Sequence, residues 1–112
     1  YVDAIREFDN YCLKNNIQLT VILFPHHYDD IQVLNRFKLL DDKKRFYAFI
    51  EELDARVVNY DYYSKYILDK NNFNDPVHYN ADIGKIIIDE IFTNSFEWGV
   101  INKDKNFTDL KY

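Results

Sequence analysis

Ile17-Gln18-Leu19-Thr20-Val21-Ile22-Leu23-Phe24 decides the fold. It alternates apolar and polar residues at first and then runs continuously apolar, the pattern of a strand covered on both faces. Pro25 stops it. A strand buried on both sides belongs to an α/β design, with helices packed on either face of a mostly parallel sheet.

Working outward, Val2, Ile5, Phe8 and Cys12 fall on one helical stripe, widened by Ala4 and Tyr11, with Asp3, Arg6, Glu7 and Lys14 opposite. Residues 2–15 are therefore expected as an amphipathic helix, closed at Asn15-Asn16 because asparagine tolerates the left-handed conformation. Beyond His26-His27, a polar turn with Asp29 and Asp30 leads to a helix carrying Ile31, Leu34 and Phe37. Asp41 or Asp42 is expected to cap a helix over 43–54, buried through Phe46, Phe49, Ile50 and Leu53. Arg56 to Asp61, β-branched at Val57-Val58, reads as a second buried strand. Tyr62 to Leu68 reads as a helical turn or two, and Lys70 to Asn74 as a polar loop.

Asn80 is a good N-cap for a helix reaching Asn94, with Ile83, Ile86, Ile87 and Ile91 turned inward and Glu90 marking a face. Gly84 inside it costs about 1 kcal/mol relative to alanine, which suggests close approach to a neighbouring strand or loop. Residues 96–112 form a C-terminal extension with a short strand at Trp98 to Ile101. The order helix, strand, helix, strand, loop, helix predicts parallel strands.

The 112 residues are 47% hydrophobic and 29% charged, with two Pro and two Gly, which is one domain over 1–112 with no linker or repeat. A net charge of −5 argues against a nucleic-acid surface, which needs clustered Lys and Arg. Lys43-Lys44-Arg45, diluted by Asp41 and Asp42, reads as a solvated first helical turn. No apolar run approaches the roughly 20 residues of a membrane span, so no membrane contact is expected from this segment. Cys12 is the only cysteine and reads as a small buried hydrophobe. The chain opens on Tyr1 and contains no methionine, so it is expected to be a piece of a longer protein.

The chemistry-bearing residues gather at strand ends. In open α/β sheets the site lies beyond the carboxyl ends of the strands. Pro25-His26-His27, Asn59-Tyr60-Asp61 and the Asp75-Pro76-Val77-His78 segment should all reach that edge. An aspartate three residues before a histidine can hold one ring nitrogen and leave the other as a base. The plainer alternative is a histidine at a helix entry bonded to nearby backbone. His26 and His27 are candidates for lining a substrate pocket. Adjacent side chains in an extended segment point to opposite sides, so at most one would join a cluster with Asp29, Asp30 and His78, and neither a metal nor a cofactor is expected. Ser64 and Ser95 lack the tight strand-to-helix turn of a serine nucleophile and read as structural.

The string Phe73-Asn74-Asp75-Pro76-Val77-His78-Tyr79-Asn80, followed by Gly84 and an isoleucine-rich helix, resembles the last catalytic block of the SGNH (GDSL-type) hydrolase superfamily, Asp-x-x-His. Asn16 to His27 is similar to that family's late core strand ending in proline, and Arg56 to Asp61 to the strand before the catalytic loop. The tail Phe96-Glu97-Trp98-Gly99-Val100-Ile101 resembles relatives that modify bacterial surface polysaccharide and teichoic acid. The resemblance implies part of a flavodoxin-like three-layer α/β/α sandwich whose N-terminal strands are missing, with Asp75 as orienting acid and His78 as base. It implies an esterase or O-acyltransferase acting on an acylated glycan or small ester, in a full-length form that is extracytoplasmic or membrane-associated.

The family's serine, oxyanion-glycine and oxyanion-asparagine blocks belong to its N-terminal part and are not visible here. The chain is thus expected to be inert alone, and to need the missing region, a partner or self-association to cover the edge of the Ile17 to Phe24 strand. The alternative is a non-catalytic α/β scaffold or interaction module.

Overall fold

The computed structural model describes residues 1–112 as a mixed α/β fold. In chain order the elements are α1 (Val2–Lys14), β1 (Thr20–Leu23), α2 (Tyr28–Arg36), α3 (Leu40–Glu51), β2 (Arg56–Asn59), α4 (Lys65–Leu68), β3 (Phe73–Asp75), β4 (His78–Tyr79), α5 (Ala81–Thr93) and β5 (Val100–Ile101). Short 3-10 turns occupy Lys70–Asn72 and Phe107–Asp109.

The main sheet has the order β1-β2-β5. β1 and β2 run parallel, with Val21 beside Val57 and Leu23 beside Asn59. The expectation of parallel strands holds for that pair only. β5 returns antiparallel on β2, and β3 and β4 form a separate antiparallel hairpin around Pro76-Val77. For β3 and β4 the physical reason is connection length, because the two residues Pro76-Val77 allow only a hairpin and not the crossover that parallel pairing needs.

The strands have apolar packing on both faces. Val57 meets Ile50, Leu53 and Phe107, with Ile5, Val21 and Leu23 against them. Val58, its neighbour in sequence, points the other way into Ile31, Tyr60, Ile83, Ile87 and Trp98. Residues 96–112 enter both clusters, since Trp98 and Phe107 are each only 1% exposed. β1 is an edge strand, half-buried throughout.

Several local features differ from these expectations. α1 buries Asp9 and Cys12, while Phe8 and Tyr11 face solvent. Asp9 belongs inside because its two carboxylate oxygens accept the backbone N–H groups of Asp54 and Ala55 at 2.8 and 2.9 Å. α3 begins at Leu40 after Leu39 without a side-chain cap, and Asp41 and Asp42 lie in its first turn. Phe46 is exposed and Tyr47 takes the buried position beside it. Asn16 does adopt the left-handed conformation after α1, at φ 54°.

The close approach expected at Gly84 occurs at Gly99 instead. A Cβ on Gly84 would sit 3.4 Å from the Tyr79 ring, an ordinary contact. One on Gly99 would fall 2.7 Å from Val58 Cγ1 and 2.8 Å from Tyr60 Cζ. Glu90 secures that segment from α5, its buried carboxylate accepting the backbone N–H groups of Glu97, Trp98 and Gly99. A helical glutamate thus anchors the loop that feeds β5.

Candidate functional site

The β3–β4 hairpin builds the expected pair from local sequence. Asp75 Oδ1 accepts the backbone N–H of Val77 at 2.9 Å and of His78 at 3.0 Å, which closes the turn around Pro76. Asp75 Oδ2 lies 2.7 Å from His78 Nδ1. An ionised carboxylate only accepts, so Nδ1 carries the proton and Nε2 keeps a lone pair. The N–H of Val77 first, and then the imidazole, hold the Asp75 carboxyl below the usual aspartate range. Asn80 accepts from Ile83 N–H as the N-cap of α5 and donates through Nδ2 to Asn71 O at 2.6 Å, which pins the hairpin to the preceding 3-10 turn. The pair is open to solvent, with side-chain exposures of 72% for His78 and 49% for Asp75.

The other two candidate histidines diverge, as adjacent extended residues do. His27 is buried and caps α2, its Nδ1 accepting the N–H of Asp29 at 3.1 Å. Its ring stands edge-on to Phe73, 5.4 Å between centroids, and its own N–H donates to Pro76 O at 2.8 Å. That last bond joins the end of β1 to the turn carrying Asp75 and His78. A cleft of about 240 Å³ lies at this junction, lined by His27, Asp29, Lys70, Phe73, Asn74, Asp75 and Pro76.

His26 turns toward Asp61, just beyond the end of β2. Asp61 Oδ1 accepts the His26 backbone N–H at 2.8 Å and Oδ2 faces His26 Nδ1 at 3.1 Å. Asp61 is fully buried, and two side chains of α3 also converge on Oδ2: Tyr47 donates its hydroxyl at 2.6 Å, and Lys43 Nζ stands 2.5 Å away. The lysine contact is an ion pair directed outside hydrogen-bond geometry. Burial alone would raise the Asp61 carboxyl; the His26 hydrogen bond and the Lys43 charge outweigh it and bring the group down to about 2. Burial, reinforced by Asp61, pushes the Tyr47 hydroxyl far up.

The three carboxyl-end segments therefore meet, through His26 on Asp61 and His27 on Pro76. Lys43 is no solvated residue of a first turn, because a buried carboxylate draws it inward. Asp61 stood in the sequence as a strand-end residue, but nothing there marked its partners, which lie on other elements. A larger cavity, about 370 Å³, opens at the amino ends of β1 and β2 around Leu19, Thr20, Ala55 and Arg56 and holds no imidazole. Neither Ser64 nor Ser95 hydroxyl bonds to a histidine: Ser64 Oγ is buried without a partner and Ser95 is exposed. No group of three or more His, Cys, Asp or Glu side chains is placed to hold a metal, and no helix is long and apolar enough to cross a membrane.

Compared with family models, with curated proteins and with solved structures, the chain has no match.

Proposed function

We propose that this chain is the base-bearing, C-terminal part of an SGNH-like esterase or O-acyltransferase within a flavodoxin-like three-layer α/β/α sandwich. The observation that carries the reading is the 2.7 Å contact between Asp75 Oδ2 and His78 Nδ1, which leaves Nε2 free to take a proton from a nucleophile's hydroxyl. Asp75 orients the ring and steadies the imidazolium, and His78 is the base. The same contact weighs against the alternative of a non-catalytic scaffold, in which the two side chains need not meet.

By resemblance alone, the substrate is an acylated glycan or small ester of the bacterial surface, and the full-length form is extracytoplasmic or membrane-associated. No hydroxyl or thiol hydrogen-bonds the His78 ring, and the chain by itself is expected to be inert toward esters. The open edge of β1 supports a need for cover by further strands or by a second copy. Light scattering after size exclusion that gives a stable, cooperatively melting monomer removes that part of the reading. The reading as a whole is tested in the reading frame upstream of Tyr1. It requires a serine there in a Gly-Asp-Ser-like context after a strand, and the longer product must hydrolyse a p-nitrophenyl ester. Absence of such a serine overturns it.

A further inference from the structure

We propose that His26 is a second proton-transfer residue, able to take a proton at Nε2 from the hydroxyl of water or an alcohol, with Asp61 as the group that orients it. The proposal does not rest on the role given to His78.

Asp61 grips the histidine at two points, backbone N–H on Oδ1 and Nδ1 on Oδ2, so the loop and the ring are fixed together. Because the ionised carboxylate only accepts, Nδ1 bears the proton and the neutral ring presents its lone pair at Nε2. That nitrogen has no hydrogen-bond partner in the protein, and the side chain is 34% exposed. His27 is the internal contrast. Its Nδ1 accepts from Asp29, which fixes the opposite tautomer, and its Nε2 is sealed from solvent.

Lys43 and Tyr47 act through Asp61 and are positioning residues, since both hold its charge in place. The groups acting on the His26 ring are Asp61, Lys43 and Asp30. The hydrogen bond to Asp61 is the strongest of these influences; with the charges of Asp61 and Asp30 it outweighs burial and Lys43, and the imidazole lies above its ordinary 6.5. When a proton passes from O–H to Nε2, the oxygen keeps the bonding pair as hydroxide or alkoxide. The new imidazolium rests against a carboxylate that is already ionised, so no second proton has to move. The His27 to Pro76 bond keeps this nitrogen at the same end of the sheet as the Asp75–His78 turn.

Long-range proton–nitrogen NMR of the 112-residue chain across pH tests the assignment. The neutral His26 ring is expected as the Nδ1–H tautomer with a pyridine-like Nε2 and a midpoint above 6.5, and His27 as the Nε2–H tautomer. Diethyl pyrocarbonate with peptide mapping gives the second readout, because it attacks unprotonated, accessible ring nitrogens. His26 should be modified readily and His27 protected. At a pH above the His26 midpoint of both proteins, Asp61→Asn should slow His26 severalfold, because the amide Nδ2 then donates to Nδ1 and leaves the proton on Nε2, while His78, as internal standard, keeps its rate. An Nε2–H tautomer for His26, protection equal to that of His27, or an unchanged rate in a folded Asp61→Asn variant overturns the proposal. If that variant does not fold, the wild-type tautomer and reactivity decide alone.

Discussion

Two histidine–carboxylate pairs stand at one end of this sheet, and they are held in opposite ways. The His78–Asp75 pair is made within one turn, by residues three apart, and both side chains are largely in water. The His26–Asp61 pair joins residues 35 apart, and its carboxylate is fully enclosed with Lys43 and Tyr47 from a third element. A pair in solvent can be removed at little cost to the fold, whereas a buried charge left without its partner is expensive. The hairpin pair is thus free to serve chemistry, while the enclosed pair also holds β1, β2 and α3 together.

Deleting each carboxylate separates these cases most sharply. Asp61→Ala strands the Lys43 ammonium in the interior and should cost about 3–5 kcal/mol, enough to unfold a marginal domain of this size. Asp75→Ala, which loses only the bonds that close an exposed turn, should move the urea midpoint far less. Equal midpoint shifts in the two variants would abolish the distinction.

Acid provides a milder break. Asp61 falls from its ordinary 3.8 to about 2 on folding. Its contribution is therefore fully present above pH 3.8 and is lost as pH falls through about 2. The size is about 2 kcal/mol from the shift. Urea unfolding of the wild type between pH 5 and pH 2 should show that decline, and a folded Asp61→Asn variant should lack it. A parallel decline in both would assign the acid sensitivity elsewhere.

The joint between the pairs gives the smallest effect. His27→Ala removes the N-cap of α2 and should cost about 1 kcal/mol, as lost caps do. The backbone bond from residue 27 to Pro76 survives the change, so the ring titration of His26 should keep its wild-type midpoint by NMR. A moved His26 midpoint would show that the His27 side chain, and not only its backbone, acts on the neighbouring pair.

The same contrast explains what the sequence could reveal. Asp75, His78 and Asn80 are local: a turn, an orienting carboxylate and a helix cap lie within six residues, where spacing alone is informative. The strands at Ile17 to Phe24 and Arg56 to Asp61 were legible from apolar runs, although β1 and β2 are each only four residues long. The enclosed pair was not legible, because Lys43 sits in a run that reads as solvated and its partner follows 18 residues later on another element. Asp9 and Glu90 were hidden for a related reason. Each sits on a helix face and is buried because it accepts backbone N–H groups from a distant loop, which no helical periodicity registers. The antiparallel return of β5 is two residues long and depends on Gly99 passing against Val58 and Tyr60, a contact set by tertiary packing.

Where the reading frame upstream of Tyr1 supplies the serine that the proposed function requires, the most direct test is fluorophosphonate labelling of that product, compared with its His78→Ala and Asp61→Asn variants. His78→Ala should slow labelling by about 10²–10⁴-fold, the usual worth of a general base, while a folded Asp61→Asn protein still labels. Equal labelling of the wild type and His78→Ala would contradict the assignment of His78 as the base.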